Sequence, residues 1–140
     1  MWSERIGRVM APDKMVTASR EASVYEVAGL MLVARASAVM VLDDGRLVGI
    51  FTERDAVSRV IAGGRDPRAV SVGEVMTHDP ITIGPDATFG QAMLLMHERG
   101  FRHLPVVEDG HPVGMMSARD ALDPDLEEFV CEEARREALR

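Results

Sequence analysis

The chain has 140 residues, 46% of them apolar and 28% charged, which fits one globular domain and excludes a disordered or collagen-like chain. Its net charge of −7 and its 4% of aromatic residues disfavour binding to nucleic acid or to an anionic membrane. One cysteine (Cys131), no signal peptide and no membrane-spanning run predict a cytoplasmic protein without membrane insertion.

An internal repeat divides the chain. Residues 17–56 and 82–121, at an offset of 65, are identical at twelve of 40 positions. Four further pairs match at an offset of 66: Gly7/Gly73, Val9/Val75, Met10/Met76 and Asp13/Asp79. We therefore predict two repeats of about 60 residues, over 6–65 and 70–122, joined by a glycine-containing loop over 63–67.

The first repeat is predicted to run β-α-β-β-α after a short helical turn. Its first long helix begins at Ser23-x-x-Glu26, which fits a capping box, and apolar residues recur behind it at helical spacing. Strands over 39–42 and 47–51 flank an Asp-Asp-Gly turn, and a last helix begins at Glu53. The second repeat has the same order, with a capping box at Thr88-x-x-Gln91, strands over 104–107 and 112–116, and a last helix from Ala118.

A unit this small buries little apolar surface alone. We therefore expect an α/β (α+β) fold in which the two repeats pack as an intramolecular pseudo-dimer, with a cleft between the halves that suits a ligand.

Residues 123–140 predict an additional C-terminal helix. Asp123-Pro124 has the N-cap and first-turn proline that begin a helix, and an apolar stripe follows, at Leu126, Phe129, Val130, Ala134 and Ala138. The stripe must pack on its own module or on a second chain, and we expect a homodimer.

One string is retained in both repeats: Gly49-Ile50-Phe51-Thr52-Glu53-Arg54-Asp55 and Gly114-Met115-Met116-Ser117-Ala118-Arg119-Asp120. A hydroxyl residue followed three positions later by an acid is, on the simpler interpretation, another capping box. On the functional interpretation the hydroxyl contacts a phosphate at a helix N-terminus, and the acid accepts hydrogen bonds from the vicinal hydroxyls of a ribose. Retention of the glycine and the arginine, which capping does not need, favours the functional interpretation.

The ordered motifs resemble the family of cystathionine-β-synthase-type domains (CBS domains), whose tandem pair is called a Bateman module. The residues that carry the resemblance are Val75-Met76-Thr77, Leu104-Pro105-Val106-Val107-Glu108-Asp109-Gly110 and the two strings, and it covers about residues 6–122. It implies a regulatory module rather than an enzyme, with AMP, ADP or ATP, and in some members NAD or S-adenosylmethionine, as the ligand and no required cofactor. A protein partner would read the ligand-dependent change.

The resemblance also implies where a nucleotide would lie. Asp120 and Asp55 would hold riboses, Ser117 and Thr52 would contact phosphates, and Arg119 and Arg54 belong to the same strings. The other implied contacts are Lys14-Met15-Val16 and Pro80-Ile81 at the adenine of the Asp120 and Asp55 sites, the backbone at Leu104-Pro105 or Val39-Met40, and the flexible side chain of Met116.

The two repeats differ just before their central hairpins. The second repeat has Arg102-His103, where family members often place residues that reach phosphate, and the first has Ser37-Ala38. Because charged donors bind phosphate more strongly than neutral ones, we expect the Asp120 site to be the tighter one.

The sequence leaves two other functions to compare with a nucleotide sensor. A structural homodimerisation adaptor with an empty cleft is the main alternative to a nucleotide sensor. An enzyme is disfavoured because His78, His97, His103 and His111 lack the spacing of a zinc site, and Cys131 has no neighbouring catalytic residues in the sequence.

Overall fold

The structure is a computed structural model that describes residues 3–9 and 15–117. Its elements, in chain order, are α1 (Ile6–Val9), β1 (Thr17–Ser19), α2 (Val24–Ala34), β2 (Ala38–Asp43), β3 (Arg46–Thr52), α3 (Glu53–Asp55), a π-helix (Ala56–Ile61), α4 (Val72–Val75), β4 (Thr77–His78), α5 (Phe89–Arg99), β5 (His103–Glu108) and β6 (His111–Ser117). The predicted mixed fold of two repeats is confirmed. The predicted last helix from Ala118 and the C-terminal helix over 123–140 lie outside the described residues.

The strands form two sheets. The first has the order β1-β2-β3-β4, in which β1 pairs with β2 in parallel and the other pairs are antiparallel. The second is the β5-β6 hairpin, and a parallel bridge between Ile83 and Val106 repeats the β1-β2 pairing of the first repeat. Both hairpins shift register at the same place, after Val41 and after Val106.

The hairpin turns meet across the two repeats. Asp44-Gly45 and Asp109-Gly110 all have positive φ, as a two-residue type I′ turn requires. The Leu47 N–H donates to the Gly110 carbonyl at 3.1 Å, and the His111 ring lies 3.0 Å from the Gly45 carbonyl oxygen. Each turn therefore contacts the turn of the other repeat.

The short helices that open the repeats are exchanged. Ile6 of α1 packs in the core of the second repeat, and Val72 and Val75 of α4 pack in the core of the first. The buried residues of the first core are Val24, Val27, Met31, Val39, Val41, Phe51, Val60, Val70, Val72, Val75 and Met76. Those of the second are Ile6, Phe89, Ala92, Met96, Leu104, Val106 and Met116.

Backbone hydrogen bonds fix this exchange. The Ile6 and Gly7 N–H groups donate to the carbonyls of Ala87 and Pro85 at 2.9 and 3.0 Å. The equivalent Val72 and Gly73 N–H groups donate to the carbonyls of Ala22 and Arg20 at 2.8 and 2.9 Å. The repeats seen in the sequence are therefore not separate cores, because each core is completed by the opening helix of the other repeat.

The predicted helix starts are confirmed in the structure. Thr88 and Gln91 form a reciprocal capping box, with bonds of 3.1 and 2.9 Å. The Ser23 hydroxyl accepts the Glu26 N–H at 3.1 Å, which is one half of the predicted box.

A further capping box begins α4. The Ser71 N–H and hydroxyl both donate to Glu74, at 2.9 and 3.1 Å, and Arg65 lies 3.2 Å from the same carboxylate. The Ser71 backbone bond, then the Ser71 hydroxyl and then Arg65 hold the pKa of Glu74 below its ordinary value.

We predict that Gly73→Ala destabilises the fold while Gly29→Ala does not. A Cβ at residue 73 would lie 2.8 Å from the Arg20 carbonyl oxygen, whereas nothing lies within 4 Å of a Cβ at residue 29 on α2. Gly73→Ala should cost about 1–3 kcal/mol through overpacking, and Gly29→Ala should add up to about 1 kcal/mol of helix stability. Urea unfolding measures both, and equal effects of the two substitutions would contradict the close approach.

We also predict that Ser71→Ala raises the pKa of Glu74 only part of the way to its ordinary value. The substitution removes the hydroxyl bond but keeps the backbone N–H bond of residue 71, which depresses this pKa most strongly. Because the pKa is lower in the folded state, the stabilisation is present above the unfolded pKa and is lost as the pH falls through the folded one. Carboxyl NMR titration measures the pKa of Glu74 in both proteins, and an unchanged value in Ser71→Ala would contradict the hydroxyl bond.

Candidate functional site

The Gly49–Asp55 string of the first repeat spans the junction between β3 and α3. The Thr52 N–H and hydroxyl donate to Asp55 Oδ2 at 3.0 and 3.1 Å, and the Asp55 N–H donates to the Thr52 hydroxyl at 3.2 Å. This is a complete capping box. The simpler interpretation of the string therefore describes the bonding in this half of the molecule.

The other carboxylate oxygen of Asp55 faces two groups that are not among the predicted site residues. Asp55 Oδ1 lies 3.5 Å from the Thr77 hydroxyl and 3.6 Å from Arg59 Nε. Asp55 is 8% exposed and is the one buried charged residue in the part of the chain that the structure describes. A buried carboxylate is stable only when donors surround it, and here Thr52, Thr77 and Arg59 provide them.

Arg59 extends this contact to the second repeat. It lies on the π-helix, and its Nη1 donates to the Met76 carbonyl at 2.8 Å and contacts the Val75 carbonyl at 3.4 Å. Its spacing of four residues from Asp55, which suits an ion pair on one helical face, is the signal that could have identified it. Thr77 was visible only as part of the Val75-Met76-Thr77 motif.

The absence of a side chain at Gly49 allows strand β4 to lie close to β3. Strand β4 pairs with β3 beside it, with Gly49 opposite His78 and Ile50 opposite Thr77. A Cβ at residue 49 would lie 2.9 Å from the Thr77 carbonyl oxygen and would also overlap the Met76 side chain. The close backbone approach expected at this glycine is therefore present, with β4 as the approaching segment.

In the second repeat, basic residues lie beside the string. The register of the β5-β6 hairpin places His103 opposite Ser117, and the exposed Arg102 precedes His103. His103 Nε2 lies 2.8 Å from the Ser37 hydroxyl of the first repeat. In the first repeat, the same register places Ala38 opposite Thr52. The hairpin ends of the two repeats thus differ in charge, as the sequence predicts.

The remaining predicted site residues are dispersed. Leu104, Pro105 and Met116 are buried, and Leu104 and Met116 belong to the second core. Met15, Val16 and Pro80 are half-buried, with the Val16 carbonyl accepting the Met40 N–H at 3.0 Å, and Ile81 and Arg54 are exposed. Lys14, Arg119 and Asp120 lie outside the described residues. The structure thus brings Thr52 and Asp55 together and pairs His103 with Ser117.

The described ranges hold neither a metal-ligand cluster nor a helix that could span a membrane. Residues 3–9 and 15–117 contain no group of three or more His, Cys, Asp or Glu side chains arranged to hold a metal ion. Over the same ranges, no helix is both long enough and apolar enough to span a membrane.

Known proteins match the chain along most of its length. The family model of the CBS domain matches residues 6–62 and 72–126. Over 105 residues, the chain is 40% identical to the meiotically up-regulated gene 70 protein of Schizosaccharomyces pombe. Over 105 residues it is 34% identical to the mitochondrial CBS domain-containing protein CBSX3 of Arabidopsis thaliana. These matches cover 74% and 71% of this chain, but only 14% and 51% of the two relatives.

Solved structures agree with the family match. An uncharacterized conserved protein from Pyrococcus horikoshii superposes with a TM-score of 0.78 at 29% identity, covering 87% of this chain and 92% of that one. The "putative signal-transduction protein with CBS domains" from Burkholderia ambifaria gives 0.74 at 30% identity, covering 84% and 88%. A hexameric CBS-CP12 protein from bloom-forming cyanobacteria gives 0.76 at 25% identity, covering 96% and 84%. With two matches to the family model and this shared fold, the chain belongs to the CBS-domain family.

Proposed function

We propose that the chain is a regulatory module that binds an adenosine nucleotide between its two repeats and transmits binding as a conformational change. The observation that carries the proposal is the tandem CBS pair, with the hydroxyl, arginine and aspartate of one string present in both repeats. The signal-transduction name of the Burkholderia ambifaria relative supports a regulatory role over a catalytic one.

The second repeat offers the better chemistry for a phosphate. Ser117 lies opposite His103, and Arg102 is next to it along the chain. A hydroxyl, an imidazole and a guanidinium together suit a phosphate, because charged donors form the stronger hydrogen bonds to it. The first repeat has Ala38 in the place of His103.

The contact between His103 and Ser37 gives binding a route to the rest of the molecule. The imidazole nitrogen lies 2.8 Å from a hydroxyl of the other repeat. A phosphate that engages His103 would compete with this contact and would favour a different arrangement of the two repeats. A ligand shifts a conformational equilibrium only through such a difference in contacts, so this pair is the proposed link between binding and signalling.

One observation favours the adaptor as the second candidate. Both Asp55 oxygens already face donors of the chain itself, so the first-repeat site is satisfied without a ligand. An adaptor whose second site is likewise satisfied would hold the same fold and bind no nucleotide.

Self-association is part of the proposal. The outer face of α2 exposes Tyr25, Leu32 and Val33 at 54%, 80% and 87%. Val57 and Ile61 of the π-helix, which packs on the same core, are 59% and 72% exposed. Apolar side chains clustered on a surface are typical of an interaction site. The hexameric cyanobacterial CBS-CP12 structure supports assembly with further copies of the chain. We therefore propose a homodimer that uses this α2 face.

The first prediction of the proposal concerns ligand binding. AMP, ADP, ATP, NAD and S-adenosylmethionine are added singly to the full chain, and at least one should raise its melting temperature, because a ligand of the folded state adds about 2.7 kcal/mol at a hundredfold excess over Kd. Asp120→Ala should abolish the shift, and Asp55→Ala should leave most of it. If none of the five ligands stabilises the chain, the adaptor is the better account, and an equal loss in both variants would refute the asymmetry.

The second prediction concerns assembly. Leu32→Glu places a charge at the centre of the α2 face and should convert a dimer to a monomer in size exclusion with light scattering. Leu94→Glu is the matched control, because Leu94 is also an exposed leucine, at 56%, but belongs to α5 of the second repeat. Loss of the dimer in the control alone, or a monomeric native chain at high concentration, would contradict the proposed surface.

A further inference from the structure

We propose that Arg59 is the internal occupant of the first-repeat site, so that the chain binds one nucleotide and not two. This inference rests on the proposed function and adds the residue that decides how many ligands the two repeats accept. It follows from the contacts of Asp55, Arg59 and Thr77.

Hydrogen-bond donors of the chain itself surround Asp55. A ribose would present its hydroxyl groups as hydrogen-bond donors to this carboxylate. In the structure Oδ2 accepts two bonds from Thr52, while Oδ1 faces the Thr77 hydroxyl at 3.5 Å and Arg59 Nε at 3.6 Å. The chain therefore supplies the donors that a ribose would bring, and Thr52, the expected phosphate contact, is bonded to the same carboxylate.

The guanidinium group of Arg59 also contacts the backbone of the second repeat. Its Nη1 donates to the Met76 carbonyl at 2.8 Å, on the segment that leads to Pro80-Ile81. That segment is where the family resemblance implies an adenine for the Asp55 site. One guanidinium thus contacts both the predicted ribose acceptor and the segment that leads to the predicted adenine position.

The sequence of the second repeat differs at the positions of the two groups that face Asp55 Oδ1. At the offset of 65, the residue equivalent to Arg59 is Pro124, and at the offset of 66 the residue equivalent to Thr77 is Ala11. Neither proline nor alanine has a side-chain donor. At these two sequence positions the second repeat therefore lacks the side-chain donors that Arg59 and Thr77 provide in the first.

Isothermal titration with AMP tests the inference through the number of sites. The native chain should bind one AMP, and Arg59→Gln should bind a second, more weakly, because glutamine is shorter and uncharged. Arg99→Gln, which removes an arginine from the last turn of α5, is the control and should keep one site. Two sites in the native chain with one lost in Asp55→Asn would overturn the inference, and so would a single site in Arg59→Gln.

A measurement without nucleotide separates this inference from the proposed function. Urea midpoints are compared for Asp55→Asn, Arg59→Gln and the double variant. If Arg59 and Asp55 interact, the urea midpoint of the double variant should fall by less than the sum of the two single decreases. A strictly additive decrease would overturn the inference. If the native chain binds no AMP but the losses are non-additive, the nucleotide proposal fails and the internal contact stands. Arg59 is about half exposed, so Arg59→Gln is expected to fold.

Discussion

The exchange of the two opening helices is the constraint on which the rest of this structure depends. Each repeat leaves one side of its core open, and the helix that closes it comes from the other repeat, with Ile6 in one core and Val72 in the other. The backbone N–H groups of residues 6–7 donate to carbonyls of the second repeat, and those of residues 72–73 donate to the equivalent carbonyls of the first. Neither core is complete in one repeat, so the halves are expected to unfold together.

The same exchange positions the first-repeat site. Strand β4 follows α4 directly, so the helix that closes the first core also brings Thr77 beside β3 and the Met76 carbonyl within reach of Arg59. Gly49 provides the space for this crossing. Asp55 thus lies where the two repeats meet because a core-forming helix precedes β4, and its burial follows from the packing of the second repeat on the first.

Local features of this fold could be predicted from the sequence, and its long-range contacts could not. The strands of both hairpins, the Asp-Gly turns and the caps at Ser23 and Thr88 depend on neighbouring residues, and the predicted strands end within one residue of those observed. The exchange of helices depends on which of two similar cores receives Ile6, and residue periodicity carries no information on that choice. The retained Gly49 likewise indicated a close approach without identifying what approached.

The candidate site also combines local contacts that could be predicted from the sequence with long-range contacts that could not. The pairing of Thr52 with Asp55 could be derived from a four-residue pattern, which is why both interpretations of the string were open. The four-residue spacing of Arg59 from Asp55 was visible in the sequence, but its contact with the Met76 carbonyl was not. The role of Thr77 required the pairing of β3 with β4, which has no local signature here. Position 103 could be compared with position 38 from the repeat alone, because the offset of 65 aligns the hairpins throughout.

These contacts give the two halves different tasks within a duplicated fold. The first repeat uses the polar atoms of its string to hold the segment that begins the second repeat, through Asp55 and Arg59. The second repeat has a histidine at its hairpin end, bonded to Ser37 across the repeats. A buried carboxylate with several donors is costly to disturb, and a bond between a hydroxyl and an imidazole exchanges at a smaller cost. Under the proposed function, a ligand would therefore act on the contact between His103 and Ser37, and the Asp55 contacts would stay in place.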